Sequence, residues 1–278
     1  MENFHVDENI KKAETLPARF YRSDEVFELL KERVFKRSFQ WFGRINDLLP
    51  HESYVKPLLF VEGYLEEPFF IRKDAKLGLT CFSNVCTHRG NLIFHHEGVS
   101  KRITCGYHGR TWATDGAFKF MPEFKDVEGF PRACDHLKPF ETAQLGPQLF
   151  VGVEPNIDIG NVLSKMNERI GFLPLNQFKF NPPQTKDYLV NCHWALYCDN
   201  YLEGFHIPFV HEDLNAALDY GSYTTELFEN GSLQIGYSSG GEEVFDLPSG
   251  HPDEGKAVAA YYYWLFPNMM FNFYPWGL

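Results

Sequence analysis

The stretch that decides the fold is Asn84-Val85-Cys86-Thr87-His88-Arg89-Gly90, answered, with sixteen residues between His88 and Cys105, by Cys105-Gly106-Tyr107-His108-Gly109. Each stretch follows a short run of apolar and β-branched residues, 77–82 and 102–105, that reads as a strand. Each is itself rich in turn formers, so both predict a loop at the end of a strand. Each loop offers one thiolate and one imidazole.

That ligand mixture restricts the chemistry. Two cysteines on one iron and two histidines on the other are what a [2Fe–2S] centre of raised potential requires, because neutral imidazoles replace charged thiolates. A Cys2His2 zinc site uses the same residues but pairs Cys with Cys and His with His along the chain. The alternation Cys86, His88, Cys105, His108 therefore favours the two-iron reading, with a zinc-stabilised binding module as the rival.

Outward from these loops the chain has the texture of two domains. Residues 57–63, 68–72, 77–82, 102–105, 111–113 and 149–153 are short strand-like runs, and Asp115-Gly116 is a hairpin turn signal. They mark a small all-β domain over 41–155. Before it, residues 1–40 form a helical segment in which Val26, Phe27, Leu30, Val34 and Phe35 recur at helical spacing over 23–39, with Ser23 as its start. After it, 156–278 is expected to be α+β: helical at 162–170, strand-like at 188–197, helical near 199–205, then strands at 257–266 and 269–274.

With 37 acidic and 26 basic residues the net charge is −11, which repels phosphate backbones and argues against nucleic acid. No run of about 18 apolar residues is present, so no spanning helix and no membrane partner are expected. Six cysteines without a secretion signal suit a reducing cytoplasm. Cys81, Cys134, Cys192 and Cys198 are expected to be small buried residues, and His95-His96 exposed loop histidines.

A second constellation is Asp199-Asn200-Tyr201-Leu202-Glu203-Gly204-Phe205-His206-Ile207-Pro208-Phe209-Val210-His211. Glu203 and His206 share a helical face. His206 and His211, five apart, stand about 140° from each other on a regular helix, so both reach one metal only if the helix is broken, and Pro208 supplies the break. Two histidines with one carboxylate form a facial triad that leaves positions open on a mononuclear iron.

Together these motifs, with Thr114-Asp115-Gly116, resemble the Rieske-type non-haem iron oxygenases of the ring-hydroxylating and choline-monooxygenase-like family. Two positions depart from the family pattern: Thr87 stands where Pro is common, a change expected to be harmless in a loop, and Arg110 stands where Trp is usual, so packing or a docking contact beside His108 is expected to differ. The resemblance implies a Rieske β-domain beside an α+β, helix-grip (START-like) catalytic domain. It implies a [2Fe–2S] cluster on Cys86, His88, Cys105 and His108, a mononuclear Fe(II) on His206 and His211, and O2 as co-substrate. Electrons would come from NAD(P)H through a separate reductase or ferredoxin. Glu203 matches the acidic position that links an iron ligand to a cluster histidine of a neighbouring subunit, in a homotrimer. Asp199 and Asn200 are candidates either for supporting the iron ligands or for a capping role.

The family's iron carboxylate lies roughly 100 residues or more beyond the second histidine, and only 67 follow His211 here. Asp213, Asp219, Asp246 and Asp253 do not match its context, so the third ligand is expected beyond residue 278 in a chain that is incomplete. The implied activity is hydroxylation, dihydroxylation or oxidative demethylation of a small molecule, with a lean toward a quaternary or methylated amine. The rings of 261–264, with Phe271, Phe273 and Trp276, belong to core strands or to an aromatic cage. The rivals are an electron-transfer protein with a degenerate second domain and an aromatic-ring dihydroxylating dioxygenase.

Overall fold

A computed structural model describes residues 4–211, 220–241 and 243–278. The chain divides into two compact units, Phe35–Ile157, and Met1–Val34 together with Asp158–Leu278.

The first unit contains β1 (Phe39–Arg44), a helical turn, β2 (Tyr54–Phe60), β3 (Glu67–Asp74), β4 (Gly78–Ser83), β5 (Gly98–Val99), β6 (Ile103–Thr104), β7 (Thr111–Trp112), β8 (Phe118–Phe120), β9 (Glu141–Leu145) and β10 (Gln148–Gly152). Three antiparallel sheets form, with strand orders β4-β3-β2-β5, β1-β10-β9 and β6-β7-β8. Phe69, Phe70, Ile71 and Arg72 of β3 are consecutively buried. Phe69 and Ile71 enter one core with Phe60, Phe140, Leu149 and Val151. Phe70 enters a second core with Val55, Phe82, Ile103 and Trp112, and Cys86 and Cys105 belong to this second core. A strand covered on both faces reads as an unbroken apolar run, as this one does.

The hairpin at Asp115-Gly116 forms as its sequence implies. Ala117 N–H donates to Asp115 Oδ1 at 2.9 Å, and Gly116 has φ +83°. A Cβ there would lie 2.6 Å from the Phe82 ring, so glycine is required for space as well as for backbone conformation.

In the second unit, α1 (Ala18–Arg22) and α2 (Asp24–Arg33) precede α3 (Ile159–Ile170), α4 (Trp194–Leu202) and α5 (Ile207–Val210). An antiparallel meander follows: β11 (Thr224–Phe228), β12 (Gly231–Tyr237), β13 (Val258–Leu265) and β14 (Met269–Phe273). Gln234, Tyr262 and Asn272 align across three strands in one row. The row holds α4, since Tyr201 Oη donates to Asn272 Oδ1 at 2.6 Å and Gln234 Nε2 donates to the Tyr201 carbonyl at 2.9 Å. Tyr261 and Tyr263 are fully buried. Tyr261 donates to Asp253, which ion-pairs with Arg169 at the end of α3.

Several sequence expectations change. The expected 23–39 helix stops at Arg33, and the chain is a strand again from Phe39. Residues 188–193 form no strand; Tyr188, Leu189 and Val190 are exposed, and the apolar character of the segment serves α4 instead, through buried Ala195 and Cys198. Cys134 and Cys192 are exposed, because each sits in a surface connection, whereas Cys81 and Cys198 are buried; all are free thiols. The β11–β12 hairpin was not foreseen, although Asn230-Gly231 is its turn signal and Asn230 has φ +61°. No helix among the described residues is long and apolar enough to cross a membrane.

The N-terminus of α4 is capped by a histidine: Ala195 N–H donates to His193 Nδ1 at 3.2 Å. Phe20, Tyr21, Phe27 and Trp194 enclose that ring at centroid distances of 5.5–5.8 Å. Burial pushes the His193 imidazole below its ordinary value, against a smaller upward pull from Asp199. A depressed histidine contributes stability above its unfolded pKa of about 6.5, which is lost as pH falls below that value. His193→Asn keeps a cap acceptor but does not titrate. It should therefore flatten the fall of the thermal midpoint between pH 8 and 5.5, and an unchanged slope contradicts this assignment.

Candidate metal centres

The two cluster loops are built on one plan. Gly90 N–H donates to the Cys86 carbonyl at 2.9 Å, and Gly109 N–H to the Cys105 carbonyl at 3.1 Å. Each cysteine N–H donates to the carbonyl five residues on, Cys86 to Asn91 and Cys105 to Arg110, both at 2.8 Å. Gly90 and Gly109 have φ +72° and +71°, the left-handed turn that closes each loop. Cys86 and Cys105 are 4% and 1% exposed, whereas His88 and His108 are half-buried. The sulfurs thus sit in the core and the imidazoles toward solvent, with the two rings 4.8 Å apart.

Electrostatics separates the four groups. Burial pushes the Cys86 thiol up, and the adjacent Cys105 adds to the rise. Burial acts the same way on Cys105, but the backbone N–H groups of Tyr107 and His108, the Cys86 thiol and the Asn91 amide outweigh it and bring that thiol down. Asn91 Nδ2 lies 3.6 Å from Cys105 Sγ. Burial, then the neighbouring His108, Arg89 and Arg110 charges, hold His88 below its ordinary value, in the neutral form that ligates metal. Two buried sulfurs with N–H groups aimed at them and two adjacent neutral imidazoles fit a Rieske [2Fe–2S] group.

Arg110 is not a surface docking residue. Its side chain is 3% exposed and ion-paired with Asp135, and its guanidinium lies 5.2 Å from the Phe118 ring centre and 5.5 Å from that of Phe130.

At the second constellation the helix breaks earlier than its sequence suggests. α4 ends at Leu202, and Glu203 is extended with ψ 147°. A new turn, α5, runs between His206 and His211, which sit at its two ends with rings 5.1 Å apart. Pro208 occupies the first turn of α5, where a missing N–H costs nothing. Continuing α4 through Pro208 would drive its ring into the Gly204 carbonyl, so the break falls in the residues before it.

Glu203 Oε1 lies 2.5 Å from His206 Nδ1, and Glu203 Oε2 accepts from Phe205 N–H at 2.5 Å. Burial would raise the Glu203 carboxyl, but His206 and the Phe205 N–H hold it below its ordinary range. An imidazole whose Nδ1–H donates to a carboxylate presents Nε2 to a metal. Asp199 lies on α4 and accepts from Tyr21 Oη at 2.7 Å; burial, and then this bond and the Asp199 charge, push the Tyr21 phenol up to about 12. Asn200 is exposed on the same helix. The cap of α4 is His193, not Asp199 or Asn200.

Among the described residues no group of three or more His, Cys, Asp or Glu converges on one metal position. Among the described residues no carboxylate joins His206 and His211 in such a group. Asp213 and Asp219 lie outside the described residues. Asp246 is exposed, and Asp253 is engaged by Arg169, Lys256 and Tyr261. Sequence reasoning missed Asp135 and His193, whose partners Arg110 and Tyr21 are distant along the chain. The amide of Asn91 was legible only as a turn residue.

Comparison with known proteins agrees with this division. Residues 50–131 match the Rieske [2Fe-2S] domain, and residues 179–278 match the catalytic domain of the ring hydroxylating alpha subunit. The chain is 25% identical to chloroplastic choline monooxygenase of Arabidopsis thaliana, over 96% of this chain and 64% of the plant protein. It is 28% identical to the carnitine monooxygenase oxygenase subunit of Escherichia coli K12, over 99% of this chain and 71% of that subunit. A solved quaternary ammonium Rieske monooxygenase shares the fold, with a TM-score of 0.70 at 23% identity over 95% of this chain and 69% of that one. The chain thus spans about two thirds of the length of these relatives. Its cysteine–histidine loops fall within the first match and its histidine-bearing helices within the second, and the chain belongs to the alpha-subunit family of Rieske-type ring-hydroxylating oxygenases.

Proposed function

We propose that this chain belongs to a terminal oxygenase that oxidises a small quaternary or methylated amine, with electrons from a reductase or ferredoxin that draws on NAD(P)H. The observation that carries the reading is the arrangement of the first centre: buried Cys86 and Cys105, with His88 and His108 turned outward. Thiolates buried in an apolar core fix a cluster, and imidazoles at the surface are the side by which an electron leaves. Relatives named as choline and carnitine monooxygenases support the substrate class.

In this reading His206 and His211 hold Fe(II), which supplies O2 activation when bound, and a carboxylate from outside the described residues completes the triad. Glu203 fixes the His206 ring and its tautomer. It is also the group through which a cluster histidine of a neighbouring subunit connects, in a homotrimer. Asp199 ties α1 to α4, and Asn200 lies beside it. The cytoplasm is the expected compartment. The overall change is R–H + O2 + two electrons + two protons → R–OH + H2O, and a hydroxylated N-methyl group then leaves as formaldehyde.

The test is reconstitution of the full-length protein with a reductase. Carnitine, choline and related amines should draw O2 and release an aldehyde or amine, while naphthalene should not. Uptake with aromatic hydrocarbons alone overturns the substrate class, and a reducible cluster without any O2 uptake favours simple electron transfer.

Glu203→Gln keeps the shape of the side chain but removes its charge. Mononuclear iron affinity or turnover should fall roughly 10–100-fold, the range found when a metal ligand loses its orienting carboxylate. The visible spectrum of the cluster should not change. Full turnover in this variant removes Glu203 from the site.

A further inference from the structure

One residue outside both cluster loops is bonded to both of them. Thr87, between Cys86 and His88, donates its hydroxyl to the Asp135 carbonyl at 3.0 Å. Trp112 Nε1–H, from the strand that follows the second loop, donates to that same carbonyl at 3.0 Å. Arg110, two residues after His108, ion-pairs with the Asp135 carboxylate, and the side chains are 3% and 4% exposed. Arg132 N–H donates to the other carboxylate oxygen at 2.7 Å. The Asp135 segment is in turn fixed to the β7–β8 hairpin, through Leu137 N–H to the Gly116 carbonyl and Phe118 N–H to His136 Nδ1, both at 2.9 Å. A cleft of about 260 Å3, bounded by Thr87, His88, Arg110, Phe130, Arg132 and Asp135, places these bonds directly beside the His88 ring.

We propose that Asp135 is the latch that sets the spacing of the two cluster loops, its carbonyl holding the Cys86–His88 loop and its carboxylate the Cys105–His108 loop. The inference rests on the reading of those loops as cluster ligands. No other described bond spans from the 132–136 turn to both loops, and the loops themselves are joined through Asn91 Nδ2 and Cys105 Sγ. A cluster with two ligands on each loop is held only as firmly as the loops are held to one another. Asp135 is thus a positioning residue. The pair also places two opposite buried charges near the cluster, which cancel while both are present. Net charge around such a cluster sets its potential.

The test compares Asp135→Asn, Arg110→Met and Thr87→Val with the wild-type holoprotein by iron release to a chelator, by EPR of the reduced protein and by midpoint potential. Asp135→Asn and Arg110→Met should release iron about tenfold faster or more. Their potentials should move in opposite directions, upward when Arg110 loses its counter-charge and downward when Asp135 keeps only the exposed Arg132 side chain as a cation, a sign difference that simple loosening of the fold does not produce. Thr87→Val introduces no buried charge and keeps side-chain volume, so it reports even if the charge variants fail to fold. It should release iron about threefold faster with the thermal midpoint unchanged. A wild-type protein without a two-iron signal removes the ligand reading and the latch together. A wild-type cluster whose release rate, EPR and potential are unaltered in Thr87→Val and in the folded charge variants removes the latch alone.

Discussion

The first unit depends on burying two sulfurs in an apolar core while keeping their backbone polar groups bonded. Cys86 and Cys105 meet that demand in the same way. Each loop turns back on its own cysteine carbonyl through a left-handed glycine, and the following N–H groups point at sulfur. The apolar floor beneath them is Phe70 and its neighbours, which is why β3 must be buried on both faces. Replacing Phe70 by alanine would cost about 3–5 kcal/mol in such a core, and the loss would fall directly under the cysteines.

The second unit meets a different constraint. Two histidines five residues apart approach each other to 5.1 Å between ring centres, which a continuous helix forbids. The chain solves this by ending α4, passing through extended Glu203, and restarting over a single turn with a histidine at each end. The carboxylate of Glu203 then orients His206 from within the break. α4 needs support from elsewhere, and it comes from the Gln234–Tyr262–Asn272 row on one side and from the aromatic enclosure of His193 on the other. Distant parts of the chain, α1 and β14, thereby fix the helix that leads into His206 and His211.

Much of this was legible in the sequence, because it is local. The cysteine–histidine loops, the Asp115-Gly116 turn and the existence of β3 as a strand are carried by neighbouring residues whose types state their role. What was not legible is long-range. Whether Arg110 packs inside or faces a docking partner is decided only when Asp135, twenty-five positions later, is found against it. The break in α4 was attributed to Pro208, yet a proline acts on the turn before it, so the chain departs at Glu203. Residues 188–193 have the composition of a strand but make none, since strand formation needs a partner and composition does not provide one. The β11–β12 hairpin escaped because its first strand is exposed and polar, although Asn230-Gly231 announced the turn.

The central claim is that two cysteines and two histidines of this chain hold a single two-iron group, with both nitrogens on one iron. Pulsed EPR of the dithionite-reduced protein, grown with 15N-histidine, tests it most directly. Two histidine nitrogen couplings that respond to the label, one of them absent in His88→Cys, are the expected result. A reduced cluster with no histidine nitrogen coupling would mean all-sulfur ligation and would contradict the account, as would a protein that binds zinc and gives no signal.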